Sequence, residues 1–592
     1  MNGRRTAALP LAVLLLGAFL LSPTAPAQET TAEQPATRPA APEPGSAAPE
    51  LFVDVIDVDV VNLEVVVTDA QGRAITGLTR DDFVVLEDGE AVELSNFYAV
   101  ETGQRVLTPE EATVEGVTRV DLPSDQRLNL AVLVDNAHIR PQNRRRVLDA
   151  LQDHLETVLR PGDRMLVATL EPGLRILQPL TGDVYSALHT LSKVERSTRG
   201  QMGLDVRERQ IYEAITTRDN FDRFATQGGE QQDDLSDVAD RVLAMIRSYA
   251  QEADFLSRQT YRGLTALSDS LAGLPGRRAV LYVSEGFAPR PAQSMLEQWF
   301  AQFEEVASQV GVSSPEIESR RHDSTDELQR VSRRASGNRV TFYTLDAAGA
   351  RTGLANQALG SRAAQPGFAT DLSPQDPLLF LASATGGSSL LGAGDPSSLL
   401  ERMADDHTDY YSLGYSSPAS RDGRYHRIEV RVKDRRDLVV RHPEGYRGKD
   451  SQQRMTERVM SALLLDSADN PLEVGVHLGD EETDKEAGVV LPVLVTVPLS
   501  KLVLVPQAAE HQGRITIYVA VQDDEGRVSE PQRIEVPVTI PNDQLVEALG
   551  RNLGYGVNLR VRRGESKLAV GVRDELSAVE STINLRFSVG KS

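Results

Sequence analysis

The sequence predicts a mixed architecture. A doubly wound α/β domain with a parallel sheet is held between flanking β-strands, and an all-β domain follows it. Three observations lead there. Apolar and polar residues alternate with period two from Val53 to Val67, and again after Tyr410. Between these flanks, strand-like runs alternate with helical periodicity from Leu128 to about Ser412. Beyond Leu465 the period-two pattern returns in a series of short segments. A chain of 592 residues is long enough for three or four domains, taking roughly one per 150 residues.

Arg4 and Arg5 precede an apolar run from Ala7 to Leu21, and Ala25-Pro-Ala27 has the small-x-small form of a cleavage site. Residues 1–27 therefore read as a signal peptide cut before Gln28, which implies a secreted or periplasmic protein. The run is shorter than the ~20 residues a comfortable membrane span needs. No later stretch reaches that length, so no integral membrane segment is expected after cleavage. The chain has no cysteine, which excludes a lipoprotein anchor, a disulfide framework and thiolate chemistry. Residues 28–50, rich in Pro and Ala, bury too little to fold and read as a disordered tether.

Residues 51–125 read as a β unit. A strand ends at Val67, Asp69-Ala-Gln-Gly72 turns, Phe83–Leu86 is a second strand, and Glu87-Asp-Gly-Glu90 turns into Val92–Leu94. The strands are too few to close a sandwich alone. Residues 126–409 follow as the α/β domain. Val147, Leu148, Leu151, Leu155 and Val158 fall on one helical face, which Arg160-Pro-Gly162 ends, and strands recur at Met165–Leu170, Ala279–Val283 and Val340–Leu345. Repeated βα units of this kind imply a parallel sheet with helices on both faces.

Within this domain, residues 205–273 form a long helical insertion. Leu235, Ala239, Val242, Ile246, Leu264, Leu267 and Leu271 lie on a single helical stripe that would run about 50 Å. It reads either as a projecting hairpin, with Val206–Ala225 returning, or as a helix whose last half packs on the sheet ahead of the Ala279 strand. Both can hold for different halves. The first offers a surface for a partner or for self-association with a second copy.

Residues 410–448 return to alternation, and their pairing with 51–125 would complete one sandwich around the inserted domain. Residues 455–592 open with a helix, Met455–Leu465. Strands follow at Leu472–Leu478, Val489–Val497, Ile515–Val521, Ile534–Ile540, Val557–Val561, Leu568–Val572 and Ile583–Val589. Such a series fits an immunoglobulin-like or fibronectin-like β-sandwich.

Three stretches, in this order, carry a resemblance. They are Val65-Val-Val-Thr-Asp-Ala-Gln-Gly-Arg73 with Leu78-Thr-Arg-Asp-Asp-Phe83 and Glu87-Asp-Gly89, then Leu274-Pro-Gly-Arg-Arg-Ala-Val-Leu-Tyr-Val-Ser-Glu-Gly-Phe287, and Tyr410-Tyr-Ser-Leu-Gly-Tyr415 with Glu444-Gly-Tyr446. With them the chain resembles the acidobacterial-type family of von Willebrand factor type A-related exported proteins, over about Val53 to Arg447. The resemblance implies architecture and compartment more than mechanism. It also implies where a metal-dependent adhesion site would lie. Such a site begins Asp-x-Ser-x-Ser, and here Leu130-Ala-Val-Leu-Val-Asp135 supplies the Asp while Ala137 and Ile139 replace the hydroxyls.

By the same resemblance Thr181 stands for the second-loop threonine and Glu285 for the third-loop carboxylate. Asp135, Thr181 and Glu285 are thus the candidate ligands of a degenerate site for Mg²⁺ or Mn²⁺, ions that require oxygen ligands at near-octahedral geometry. The plainer reading is that Asp135 hydrogen-bonds backbone amides at the strand end. Asn136 and His138 alternate with the ligand positions and are expected to point away.

A formal net charge of −23 argues against nucleic acid as a partner. The clusters Arg144-Arg145-Arg146 and Arg435-Arg436 read as solvated faces, and acidic pairs such as Asp405-Asp406 as surface. His154-Leu-Glu-Thr-Val158 lacks the second histidine of a zinc helix, Val283-Ser-Glu-Gly286 lacks the first glycine of a nucleophile elbow, and Gly414-Tyr-Ser-Ser417 lacks the last. With no catalytic set, the leading reading is an exported, non-enzymatic, adhesion-type scaffold for a protein or cell-envelope partner. The alternative is a secreted envelope-acting enzyme or enzyme subunit with no recognisable motif.

Overall fold

The computed structural model describes residues 60–115, 117–122, 126–171, 173–196, 203–216, 231–349, 373–392, 395–484 and 488–590. The predicted leader and tether, the strand residues before Val60 and the end of the predicted returning helix, 217–225, lie outside them. Two compact units divide the chain, one over Asp59–Ser467 and one containing Ala468–Ser592.

In the first unit, β1 (Val60–Thr68), β2 (Phe83–Glu87), β3 (Glu90–Val92), β4 (Asn96–Glu101), β5 (Gln104–Val106) and β6 (Arg119–Asp121) come first. The α/β segment then runs β7 (Leu128–Val134), α1 (Pro141–Val158), β8 (Arg164–Leu170), β9 (Leu174–Thr181), α2 (Val184–Glu195), α3 (Gly203–Thr216) and α4 (Gln231–Leu271). It continues through β10 (Arg277–Ser284), α5 (Gln293–Ala307), α6 (Thr325–Gly337), β11 (Val340–Asp346), α7 (Asp376–Ala384), β12 (Ser389–Leu390) and α8 (Ser397–Thr408). The unit closes with β13 (Tyr410–Ser416), β14 (Tyr425–Val432), β15 (Val439–Arg441), β16 (Gly445–Arg447) and α9 (Ser451–Leu465).

The two flanks interleave. One sheet has the order β15-β1-β13-β4-β5-β6 and the other β16-β14-β2-β3. Alternation in β1 sends Val61, Leu63, Val65 and Val67 to one side, where they pack with Phe83, Val85, Leu413, Tyr415, Ile428 and Val430. Strand β1 runs antiparallel to β13 with Leu63 opposite Leu413 and Val65 opposite Tyr411. The flanks are also tied at the turn after β2. His426 Nδ1 lies 2.8 Å from Asp88 Oδ2, and its Nε2 lies 3.1 Å from Asp422 Oδ1.

Between the flanks, the third sheet has the order β12-β11-β10-β7-β8-β9, all parallel except β9, which runs antiparallel to β8. Every residue of β7 is buried, as expected for a strand covered on both faces. On one face Leu130, Val132 and Val134 meet Leu148, Leu151 and Leu155 of α1, with Leu191 and Met403. On the other, Ala131 and Leu133 meet Leu264, Leu267 and Leu271 of α4, together with Val331, Leu378 and Leu465.

Helix α4 spans 41 residues, about 60 Å at 1.5 Å per residue. Its C-terminal half lies on the sheet. Its N-terminal half, through Ala239, Val242, Leu243 and Ile246, packs with Ile211 and Ile215 of α3 and with Met295, Trp299 and Phe303 of α5. The Trp299 indole donates to Ala239 O at 3.0 Å. These helices form a cap with its own apolar core, so both sequence readings hold, one for each half. The predicted stripe is therefore spent inside the unit and is not the face offered to a second copy. At Gly263 a Cβ would meet Leu170 Cδ2 at 2.3 Å, so glycine lets α4 cross the end of β8 at close range.

Three further expectations change. Helix α9 was expected to open the C-terminal domain, but Leu465 packs in the doubly wound core and Ser461 Oγ donates to Ser270 O at 2.6 Å. The boundary thus falls after Ser467, not before 455. Arg144 is wholly buried and donates to Asn136 Oδ1 at 2.9 Å, because it sits on the core-facing side of α1. Asp406 is likewise buried, where Arg441 and the Tyr343 hydroxyl bond it.

The second unit is all antiparallel. It contains β17 (Gly475–Leu478), β18 (Glu482–Asp484), β19 (Gly488–Pro498), β20 (Val505–Pro506), β21 (Glu510–Asp523), β22 (Gln532–Pro541), β23 (Asn552–Val561), β24 (Gly564–Asp574) and β25 (Glu580–Val589). Strands β17, β18 and β23 pair around β19, while β20, β22 and β24 pair with β21 and β25 with β24. Both sheets contribute to one apolar cluster, which includes Val493, Val495, Ile517, Val519, Leu559 and Val570.

Burial disfavours the His426 imidazolium, but the bonds to Asp88 and Asp422 outweigh it and raise the His426 pKa. The clasp therefore stabilises fully below the unfolded value near ~6.5 and is lost as pH rises through the folded one. His426→Gln should lower the urea midpoint at pH 5.5, with the gap to the parent closing by pH 9.

Candidate functional site

Strand order reverses between β7 and β10, and in open α/β sheets ligands bind beyond the C-terminal strand ends at such a point. Asp135 follows β7 there, and Ser284 ends β10 with Glu285 next. Asp135 is wholly buried. Its Oδ2 accepts from the Tyr282 hydroxyl at 2.5 Å and the Ser284 hydroxyl at 3.1 Å, while Oδ1 accepts from the Ala137 amide at 3.2 Å. His138 Nδ1 lies 3.1 Å from Oδ2 and 3.3 Å from Oδ1. Thr260 Oγ1, from the middle of α4, is 3.2 Å from the same nitrogen. The Phe287 ring lies tilted against the His138 ring with centroids 4.5 Å apart.

Burial works against ionisation of Asp135, but His138 beside it and the hydroxyls of Tyr282 and Ser284 prevail and hold its carboxyl below the usual carboxylate range. Burial, with Asp135 next to it, pushes the Tyr282 hydroxyl well up, so it stays a donor. A carboxylate offers about four lone-pair sites, and donors from this chain already surround both oxygens.

Glu285 sits at the same edge. Its Oε1 accepts from the Arg140 amide at 2.7 Å and from Asn143 Nδ2 at 2.9 Å, and Oε2 pairs with the Arg140 guanidinium at 3.0 Å. The carboxylate thus faces the positive end of the α1 dipole. Arg140 also grips Asp205 of α3 at 2.6 and 3.1 Å, and so bolts the helical cap to the sheet edge. Gly286 has φ +75° and a Cβ there would meet Pro374 O at 2.0 Å, so the segment before α7 closes over the edge.

Thr181 is not part of this group. It pairs with Met165, which is level with Leu130, and at ~3.3 Å per residue that places it about 17 Å down the sheet from Asp135. The cause is topological: β9 runs antiparallel, so its C-terminal end arrives at the opposite edge. Thr181 Oγ1 accepts from the Asp183 amide at 3.0 Å, ahead of α2.

Ala137 and Ile139 offer no side-chain oxygen, and Ile139 is buried in the apolar core. Among the described residues no group of three or more His, Asp or Glu side chains gathers to hold an ion. This donor set does not fit an octahedral Mg²⁺ or Mn²⁺. Sequence reading missed His138, which turns toward Asp135 instead of away, and also missed Tyr282, Thr260 and Arg140. A tyrosine inside the otherwise aliphatic run of β10 was the available signal, since a buried hydroxyl needs a partner.

No family model matches the chain, and no curated protein matches it. Among solved structures, the chain is similar to an aerotolerance-related membrane protein from Bacteroides fragilis at 8% identity and TM-score 0.21, covering 47% of this chain and 98% of that one. It is similar to the conserved hypothetical protein BatB from Bacteroides thetaiotaomicron at 10% identity and TM-score 0.20, covering 47% and 96%. It is also similar to the manganese-loaded TRAP protein of Plasmodium vivax at 10% identity and TM-score 0.21, covering 54% and 93%. Likenesses this slight carry no argument about this chain.

Removing Asp135 strands the Tyr282 and Ser284 hydroxyls in the core. Asp135→Ala should cost on the order of 3 kcal/mol in urea denaturation at pH 7. Because the folded Asp135 pKa is depressed, the stabilisation is complete above the unfolded value near ~3.9 and fades as pH falls through the folded one, so the difference should shrink in acid. Arg140→Ala should leave the sheet protected while speeding amide exchange in 203–216.

Proposed function

We propose that the protein is an exported, non-enzymatic binding protein, in which a von Willebrand factor A-like domain is inserted in a β-sandwich and followed by an immunoglobulin- or fibronectin-like domain. It acts through contacts with a protein or cell-envelope partner that need no metal. One observation carries this reading: the edge where an open α/β sheet presents its ligand chemistry is occupied by this chain's own donors and roofed by α4. Recognition then falls to outer surfaces.

The cap offers the nearest one. Phe255, 55% exposed, lies five residues before Thr260 on α4, and Val206 on α3 is 52% exposed. In this reading these two side chains are the apolar part of one contact patch, the form in which exposed apolar surface marks an interaction site. No helix among the described residues is long and apolar enough to cross a membrane, and export rests on the Arg4–Ala27 leader pattern.

A photocrosslinker at position 255 of the exported chain should trap one stoichiometric partner, and EDTA should not reduce the yield. The pair Phe255→Glu and Val206→Asp should weaken that partner about tenfold or more with the melting temperature unchanged. Binding abolished by EDTA would restore the metal reading. Turnover of an envelope polymer that Glu285→Gln removes would make the protein an enzyme.

A further inference from the structure

At the other end of the parallel strands, the interleaved sandwich and the doubly wound sheet enclose a cavity of about 380 Å³. Four arginines reach its wall: Arg277 and Arg278 at the start of β10, Arg339 just before β11, and Arg441 on β15. In a chain of net charge −23 such a gathering of cations calls for a cause.

Two of the four are neutralised from within. Arg277 Nε bonds Glu64 Oε2 at 2.6 Å, and its guanidinium lies 4.1 Å from the centroid of the Tyr410 ring. Arg441 forks onto the buried Asp406, with one arm at 2.7 Å. The other two form no ion pair with a described residue. Arg278 reaches only backbone carbonyls, those of Ala272 at 2.5 Å, Asn338 at 3.2 Å and Gly276 at 3.3 Å.

The Arg339 guanidinium makes no hydrogen bond or ion pair with any described residue. It stays open to solvent at the recess. Burial, and then repulsion from Arg339, pushes the Arg278 pKa down to about 10. Arg339 is also held at φ +54°, a left-handed conformation after a helix that glycine or asparagine adopts with least strain. The left-handed backbone of Arg339 and the part-buried charge of Arg278, which meets carbonyls but no ion pair, are two costs that the free protein does not recover.

We propose that this cavity binds a small organic anion of the phosphate or carboxylate class, gripped by Arg278 and Arg339. Both guanidinium forks match the paired oxygens of such groups. Arg277 and Arg441, already neutral with their partners, form the wall. Glu64 is the one carboxylate lining the recess, and its charge is spent on Arg277. A volume of this size holds a small metabolite, and the rings of Tyr98 and Tyr446 on the wall suit the organic part of the ligand. The site shares no residue with the helical cap or with the Asp135 edge.

The test uses the whole exported chain in a low-salt buffer free of phosphate, with inorganic phosphate and citrate as the two probes. Calorimetry should give saturable binding and the melting temperature should rise with the probe, the tighter of the two assigning the ligand class. Arg339→Asn should melt higher than the parent without probe, because it relieves the left-handed strain and removes an unpaired charge. It should bind the probe about tenfold to a hundredfold more weakly. Arg435→Gln, on an exposed turn, should change neither reading. No response to either probe, or an equal response in Arg339→Asn, overturns the proposal.

Discussion

The pairing of β1 with β13 is the constraint on which the first unit depends. Val60–Val65 lie opposite Tyr411–Ser416, so the ladder joins segments separated by the entire α/β region. Neither flank has strands enough to bury a face by itself. Joined, they bury the cluster around Leu63, Val85, Leu413 and Ile428. The entropy of closing so long a loop grows only with the logarithm of its length, which a well-filled apolar interface can offset. The closure also ties the flanks to the inserted domain: Glu64 of β1 holds Arg277 at the start of β10, and Arg277 bonds the Asp406 carbonyl just before β13.

The two edges of the inserted sheet treat buried charge in opposite ways. Asp135, at the carboxyl edge, is desolvated yet surrounded by donors, and the sum favours the anion. Arg278, at the amino edge, is part-buried with no ion pair, and burial works against its charge, while Arg339 beside it adds a second unpaired cation at the mouth of the recess. A satisfied polar network rigidifies its surroundings, whereas an unsatisfied one stores free energy that a ligand can release. Beyond the carboxyl ends of the strands, where open α/β sheets usually bind ligands, the buried carboxylate is bonded by this chain's own donors.

Much of the fold was legible because it rests on periodicity. The alternation at Val61–Val67 and Ile428–Val432, the fully apolar run at Leu130–Val134 and the stripe from Leu235 to Leu271 each mark an element by the face it buries. The C-terminal segments from Val489 to Val589 read as strands for the same reason. The site was less legible, because a polar side chain's partner depends on three-dimensional placement. Thr181 was assigned by loop order, and the reversed direction of β9 carried it to the wrong edge. His138 was assigned by alternation, which ends where the strand ends. Residue type places Arg144 and Asp406 on the surface, but the buried Asn136 and Tyr343 bond them in the interior.

Helix α4 has a mechanical consequence. Its first half belongs to the core of the cap and its second half to the core of the sheet, with no proline along its length. An α-helix of ~60 Å gripped in two places acts as a stiff rod, so a push on the cap is not absorbed in a loop. It is delivered at the far end, where Leu271 leads through Ala272 to Gly276, the carbonyls on which Arg278 rests. A displacement of the cap would thus reach the opposite edge of the sheet along one continuous helix, which crosses β8 where Gly263 meets Leu170.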